Sequence, residues 1–246
     1  MNLGKSNKIR WWDEYEIKAR YIPTFLSVIP IVHCLVLFLG VSFWSELCGN
    51  ITWMLITNLS LAFILMLSFV QVQCGFAKHW IEESVFGKGG EQFPTTDMLL
   101  YNGGLISIER KEQIRDKITK LFGCIFSTKS EESNNPANAR LQAREAVGHV
   151  RKIVGKGVMT HQYNIRYGFF RNLIAGMIWS ATGSTGCVII YAMANNWRPA
   201  VFFIIWCFVC LAMFFLKNKI LKKVAFGYAD SLFNEFLDQY KNKGDR

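Results

Sequence analysis

The chain is poor in residues that could form an active site. Its four histidines, His33, His79, His149 and His161, are far apart in sequence, and neither they nor the scattered carboxylates show the nucleophile, base and orienting group that covalent catalysis needs. Cys207 and Cys210 form a C-x-x-C, but a zinc site takes four polar ligands and no His lies near them in an apolar run. The 7 cysteines are an odd number, with Cys34, Cys187, Cys207 and Cys210 inside apolar runs, so no disulfide framework is expected. The chain reads as a non-enzyme, with no cofactor and no metal.

Two stretches look capable of binding. The first, residues 87–97, joins the glycines of Gly87-Lys88-Gly89-Gly90 to Pro94-Thr95-Thr96-Asp97. Its glycines permit unusual backbone angles, and its hydroxyls and carboxylate offer caps for a short helix at 98–101. A helix start beside Lys88 can hold phosphate, although the spacing fits neither the P-loop nor the dinucleotide fingerprint. A structural turn is the simpler reading, and an anionic or nucleotide-signal ligand the other. The second stretch carries Arg166, Tyr167, Arg171 and Asn172 and leads into a long apolar run. At that border Arg171 either anchors on a headgroup phosphate or bridges to a carboxylate or to the 94–97 loop.

These stretches are positioned by four apolar runs, at 25–43, 53–72, about 172–194 and 200–216, all free of Asp, Glu, Lys and Arg. A run of about 20 such residues crosses the hydrocarbon core. The composition, 51% apolar with 20 Phe and 8 Trp, exceeds what a soluble core of 246 residues absorbs. The first run follows a charged segment with Trp11 and Trp12 and no cleavage pattern, so it is expected to remain as a span. Of 28 Lys and Arg, only Arg198 falls in the two short connections, 45–50 and 195–199. The positive-inside rule therefore places both termini and the middle segment in the cytoplasm of a multi-pass membrane protein. Topology accounts for the net charge of +10, direct nucleic-acid binding is not expected, and anionic lipids are sufficient partners. Asn50-Ile51-Thr52 fits a glycosylation sequon but is discounted in so short a loop.

Within the runs, Gly176, Ser180, Ser184 and Cys187 share one helical face. That face serves helix packing or lines a conduit, and packing is the simpler reading. Pro30 should kink the first span, with His33 one turn away, neutral and bonded to a freed carbonyl. Asn58 should face another helix. The spans hold no Asp or Glu, which removes the usual carriers of ion coupling.

The middle segment shows helical periodicity at 107–122, with an apolar stripe of Ile108, Ile114, Ile118, Leu121 and Phe122, then a polar turn at 127–135. A second helix follows from Asn135-Pro136 to Gly155. The tail, 224–240, repeats the pattern through Ala229, Leu232, Phe233, Phe236, Leu237 and Tyr240 and should dock on the cytoplasmic domain or on a second subunit. The expected architecture is all-α: a four-helix transmembrane bundle with a helical cytoplasmic domain inserted between spans 2 and 3. Its parts are 1–75, 76–168 as the cytoplasmic domain, 169–216, and 217–246 as an amphipathic C-terminal helix.

The lead-in E-x-K-A-R-Y-x-P (16–23), the loop G-G-x-x-x-P-T-T-x-x-L (89–99) and the pre-span N-x-x-Y-G-F-x-R-N (164–172) together resemble a family of uncharacterised bacterial four-span membrane proteins associated with antiphage defence. The segment after Thr96 departs from that pattern, with Leu100 where a basic residue often follows Leu99. The resemblance implies a shared four-span architecture, and the large basic middle segment joined to spans without coupling charges points to an effector or sensor that couples an intracellular cue to the membrane, expected as a homo-oligomer with a cytoplasmic protein partner from the same locus. A membrane-anchored scaffold and a channel or transporter subunit are the alternatives.

Overall fold

The computed structural model describes residues 13–39 and 51–244, with side chains at 13–39 and 55–239. Trp11 and Trp12, the 45–50 connection, residue 50 of the sequon and the Tyr240 side chain lie outside these. Every regular element among the described residues is helical. In chain order they are α1 (Glu14–Leu39), α2 (Ile51–Phe76, continued by Ala77–Glu82 and Glu83–Phe86), α3 (Pro94–Asp97), α4 (Ile108–Phe122), α5 (Lys129–Asn134), α6 (Pro136–Val154), α7 (Val158–Met193), α8 (Trp197–Phe215) and α9 (Lys217–Gly244). Among the described residues four helices are long and apolar enough to cross a membrane: α1, α2 with its continuation, α7 and α8.

The chain forms two compact units, one from residues 1–75 and 172–212, the other from 76–171 and 213–246. The tail therefore belongs with the middle segment, and the divisions fall at 171/172 and 212/213 rather than 168/169 and 216/217.

In the first unit α1 is an inner helix. On one side Val28, Val32 and Val36 pack on Ala62 and Met66 of α2. On another, the small residues of α7 let its backbone approach. A Cβ on Gly183 would lie 2.5 Å from the Ile31 nitrogen, and one on Gly186 would lie 2.4 Å from Cys34 Sγ. α8 closes on α7 through Trp206, whose Nε1 donates to Ser180 Oγ at 2.9 Å. The most apolar stretches of α1 and α7 are 39% and 44% buried, against 17% for α2 and α8. Leu55, Leu59, Phe63 and Ile64 of α2 and Phe202, Ile205 and Phe208 of α8 stay exposed within the chain. In water that surface would be unfavourable, whereas in hydrocarbon it costs nothing.

Pro30 does not interrupt α1. The departure from α geometry comes earlier, at the π-helical turn Ile17–Tyr21, and a second π-helical turn, Ala77–Glu82, follows α2. His33 pairs with the Tyr191 hydroxyl at 2.9 Å and stacks on Phe203, instead of bonding a freed carbonyl.

In the second unit α4, α6 and α9 enclose a core of Ile114, Ile118, Ala139, Ala143, Ala146, Val147, Val150, Ala229, Leu232, Phe233 and Phe236. The tail is docked as its period predicts. Ser107 caps α4 by accepting from the Arg110 amide, and Gly123 ends it at φ 65°, where glycine is favoured. The 127–135 stretch is not a simple polar turn: Thr128 and Glu131 form a capping box that starts α5. Pro94 takes the first position of α3, so Thr95, Thr96 and Asp97 lie inside a helix rather than capping one at 98–101.

Candidate functional site

The second unit contains a recess of about 250 Å³ lined by Asp97, Asn102, Glu132, Pro136, Arg140 and the backbone of residues 103–104. Its wall is the irregular loop 98–107, whose backbone polar groups are satisfied from two sides. From α4, Lys111 Nζ donates to the carbonyls of Leu100, of Tyr101 (3.3 Å) and of Gly103 (2.7 Å). Arg115 donates to the Leu99 carbonyl at 3.1 Å and to that of Ser127 at 2.5 Å, its guanidinium lying between the Tyr101 and Phe126 rings. From α5, the Glu132 carboxylate accepts from the amides of Tyr101 (2.9 Å) and Asn102 (2.8 Å).

Lys111, Arg115 and Glu132 are 1%, 7% and 2% exposed. Three charged side chains thus replace water as hydrogen-bond partners for one loop. Burial lowers the Lys111 pKa from its ordinary value, while the charge of Glu132 opposes the shift. The apolar stripe expected on α4 is accordingly displaced: Ile108 and Leu121 are exposed, and Lys111 and Arg115 take buried positions.

At the rim, Arg140 Nη1 bridges the Asp97 carboxylate and the Glu91 carbonyl, each at 2.9 Å. Arg144, one turn on, lies beside Gly89. Arg151 stands over the rings of Phe93 and Tyr228. One face of α6 therefore tracks the 87–97 loop with arginines, instead of presenting them only to solvent. Cys124 is not set up as a nucleophile, because burial and the charge of Glu145 push its thiol up.

The residues singled out from sequence do not converge on one site. Lys88, Gly89 and Gly90 form a tight turn with positive φ at Gly89 and Gly90. Pro94, Thr95 and Thr96 are buried, with Thr95 Oγ1 reached by Arg151 at 3.5 Å. Tyr167 is buried among Phe86 and Phe93, whose ring it meets edge-on at 5.3 Å, and this contact does join the loop to the pre-span motif. Arg166 lies over Tyr163. Arg171 pairs with Glu82 at 2.7 Å. Asn172, Gly176, Ser180, Ser184 and Cys187 belong to the first unit. There Ser184 Oγ donates to the Ser180 carbonyl and Cys187 Sγ to the Pro30 carbonyl. Asn58 keeps a buried Oδ1.

Sequence reasoning missed Lys111, Arg115, Glu132 and Arg140. A single apolar period assigns charged residues to the solvent side of a helix, and only loop carbonyls brought from elsewhere reverse that.

No protein-family model, no curated protein and no solved structure matches the chain.

Proposed function

We propose that the chain is a non-enzymatic membrane effector or sensor in bacterial antiphage defence, in which the second unit receives an intracellular cue and the apolar helices act on the membrane. The observation that carries this reading is the pairing of two kinds of unit in one chain. One presents apolar helices suited to lipid, and the other has its own core and a recess whose loop wall is held by three buried charged side chains, of which Glu132 also lines the recess. The resemblance of the three sequence motifs supplies the defence setting. In this reading residues 76–168 and both termini are cytoplasmic, and the protein works as a homo-oligomer with a cytoplasmic partner from its own locus.

The test is expression in a bacterium challenged with phage, with dye entry and potassium loss followed over time. The expected result is growth arrest with leakage that depends on the challenge. Protection or arrest without leakage would favour a scaffold that recruits a partner protein, and neither effect would remove the defence reading. Topology is read independently by thiol labelling of Ser130→Cys, exposed on α5. Labelling from outside intact cells would overturn the cytoplasmic assignment.

A further inference from the structure

The first unit contains two fully buried amide side chains, Gln73 on α2 and Asn172 on α7, both 0% exposed. Gln73 Nε2 donates to the backbone carbonyl of Asn172 at 2.8 Å, and Asn172 Nδ2 donates to the backbone carbonyl of Ala19 at 2.6 Å. These bonds fix the orientation of both amides, since turning either one would set its oxygen against a carbonyl. They also leave Gln73 Oε1 and Asn172 Oδ1 with no donor among the described residues. Each oxygen sits on the same carbon as a bonded nitrogen, so its place is set by that bond.

The nearby hydroxyls are already committed. Ser27 Oγ donates to the Pro23 carbonyl and Thr24 Oγ1 to that of Arg20. Gly176 brings this cluster together: a Cβ there would lie 1.9 Å from Ser27 Oγ and 2.7 Å from Gln73 Nε2. The carbonyl that holds Asn172 belongs to the π-helical turn Ile17–Tyr21, a distortion that often marks a functional site.

We propose that this Gln73–Asn172 pair binds a water molecule inside the apolar bundle of the first unit, the water donating one hydrogen to each amide oxygen. Two free acceptors match the two donors of one water, and buried waters characteristically join polar groups that the chain leaves unmatched. Arg20 Nε, on the residue after Ala19, is a buried donor without an acceptor among the described residues, so its need is of the opposite sign. Water both donates and accepts. A metal cation would meet the guanidinium of the neighbouring Arg20, whose positive charge opposes it. The small-residue face beyond this point gives no path onward, because at Gly183 and Gly186 α7 lies directly against α1. The site is therefore not continued along that α1–α7 contact.

The test is solid-state NMR of the full chain in phosphatidylcholine and phosphatidylglycerol vesicles, reading magnetisation transfer from water to the side-chain amide nitrogens. The Gln73 signal is assigned by its loss in Gln73→Met. Transfer to both Gln73 and Asn172 in the unaltered chain is the expected result, with the Asn172 transfer lost in Gln73→Met. Absence of transfer in the unaltered chain shows a dry pair and overturns the proposal. Thermal unfolding in sodium, potassium and choline chloride gives a second arm. Equal midpoints are expected, and an upward shift specific to sodium or potassium that disappears in Gln73→Met would assign the site to a cation instead.

Discussion

Arg171 donates to Glu82 across 2.7 Å, with the two side chains 13% and 18% exposed, and its guanidinium lies over the ring of Tyr167. The bond joins the pre-span motif on α7 to the π-helical continuation of α2, both within the second unit. Of the roles open to Arg171 from sequence, headgroup anchor or bridge to a carboxylate, the structure shows the bridge.

A charge-assisted bond this sheltered contributes about 2 kcal/mol, and removing one partner leaves the other poorly solvated. Glu82→Ala should lower stability by that order. Arg171→Lys should fall between the unaltered chain and Arg171→Ala, since Lys keeps the charge and loses the planar fork. A double-mutant cycle of Glu82→Gln and Arg171→Lys, read by thermal unfolding in detergent, should show non-additivity. Strict additivity would mean that the pair contributes no coupling.

Gly183 and Gly176 should respond differently to alanine. At Gly183 the new methyl meets the backbone of Pro30 and Ile31, which cannot turn aside, whereas at Gly176 it meets the side chains of Ser27 and Gln73. Overpacking of this kind costs about 1–3 kcal/mol, and Gly183→Ala should sit at the upper end. Thermal midpoints in detergent decide the order. A neutral Gly183→Ala would show that α1 and α7 are not in backbone contact.

Lys111 makes a prediction about pH. Its pKa is lowered in the folded chain by burial, so between the folded and unfolded values the unfolded state holds the proton more firmly. Stability should therefore rise as pH increases through the folded value and level off at the ordinary lysine range. Lys111→Met should abolish that alkaline rise while leaving three loop carbonyls without their donor, a loss of about 3 kcal/mol at neutral pH. Denaturant unfolding between neutral and alkaline pH measures both effects. A rise that persists in the variant would assign it to another group.

Glu235 of α9 caps the start of α7, its carboxylate accepting from the amides of Met159 at 2.8 Å and Thr160 at 3.3 Å. Gly157 leaves room for it: a Cβ there would lie 1.8 Å from Glu235 Oε2 and the carboxylate would have to shift. Glu235→Ala should cost about 1 kcal/mol, the usual value of a lost cap, and Glu235→Gln less, since its amide oxygen still accepts. Limited proteolysis should show the tail cut faster in Glu235→Ala than in Glu235→Gln. Equal rates would mean that the cap does not hold the tail.

The amino-acid sequence by itself determined the helical class, the four membrane-capable helices and the apolar face of the tail, while its docking on α4 and α6 was decided by the tertiary structure. The class, the four helices and that face depend on the local period and length of apolar residues, quantities that a linear chain displays in full. It also fixed helix ends where the cap is built from neighbours, as at Ser107 with Arg110 and Asn135 with Asn138. Only the tertiary structure decided which polar groups meet. Lys111 and Arg115 look like solvent-facing residues of an amphipathic helix until the 98–107 loop supplies carbonyls for them. Gln73 and Asn172 are 99 positions apart in sequence, and their hydrogen bond exists because glycine at 176 lets α1, α2 and α7 come together. Pairings of that kind depend on the spatial convergence of distant elements, and apolar periodicity carries no information about a partner that far along the chain.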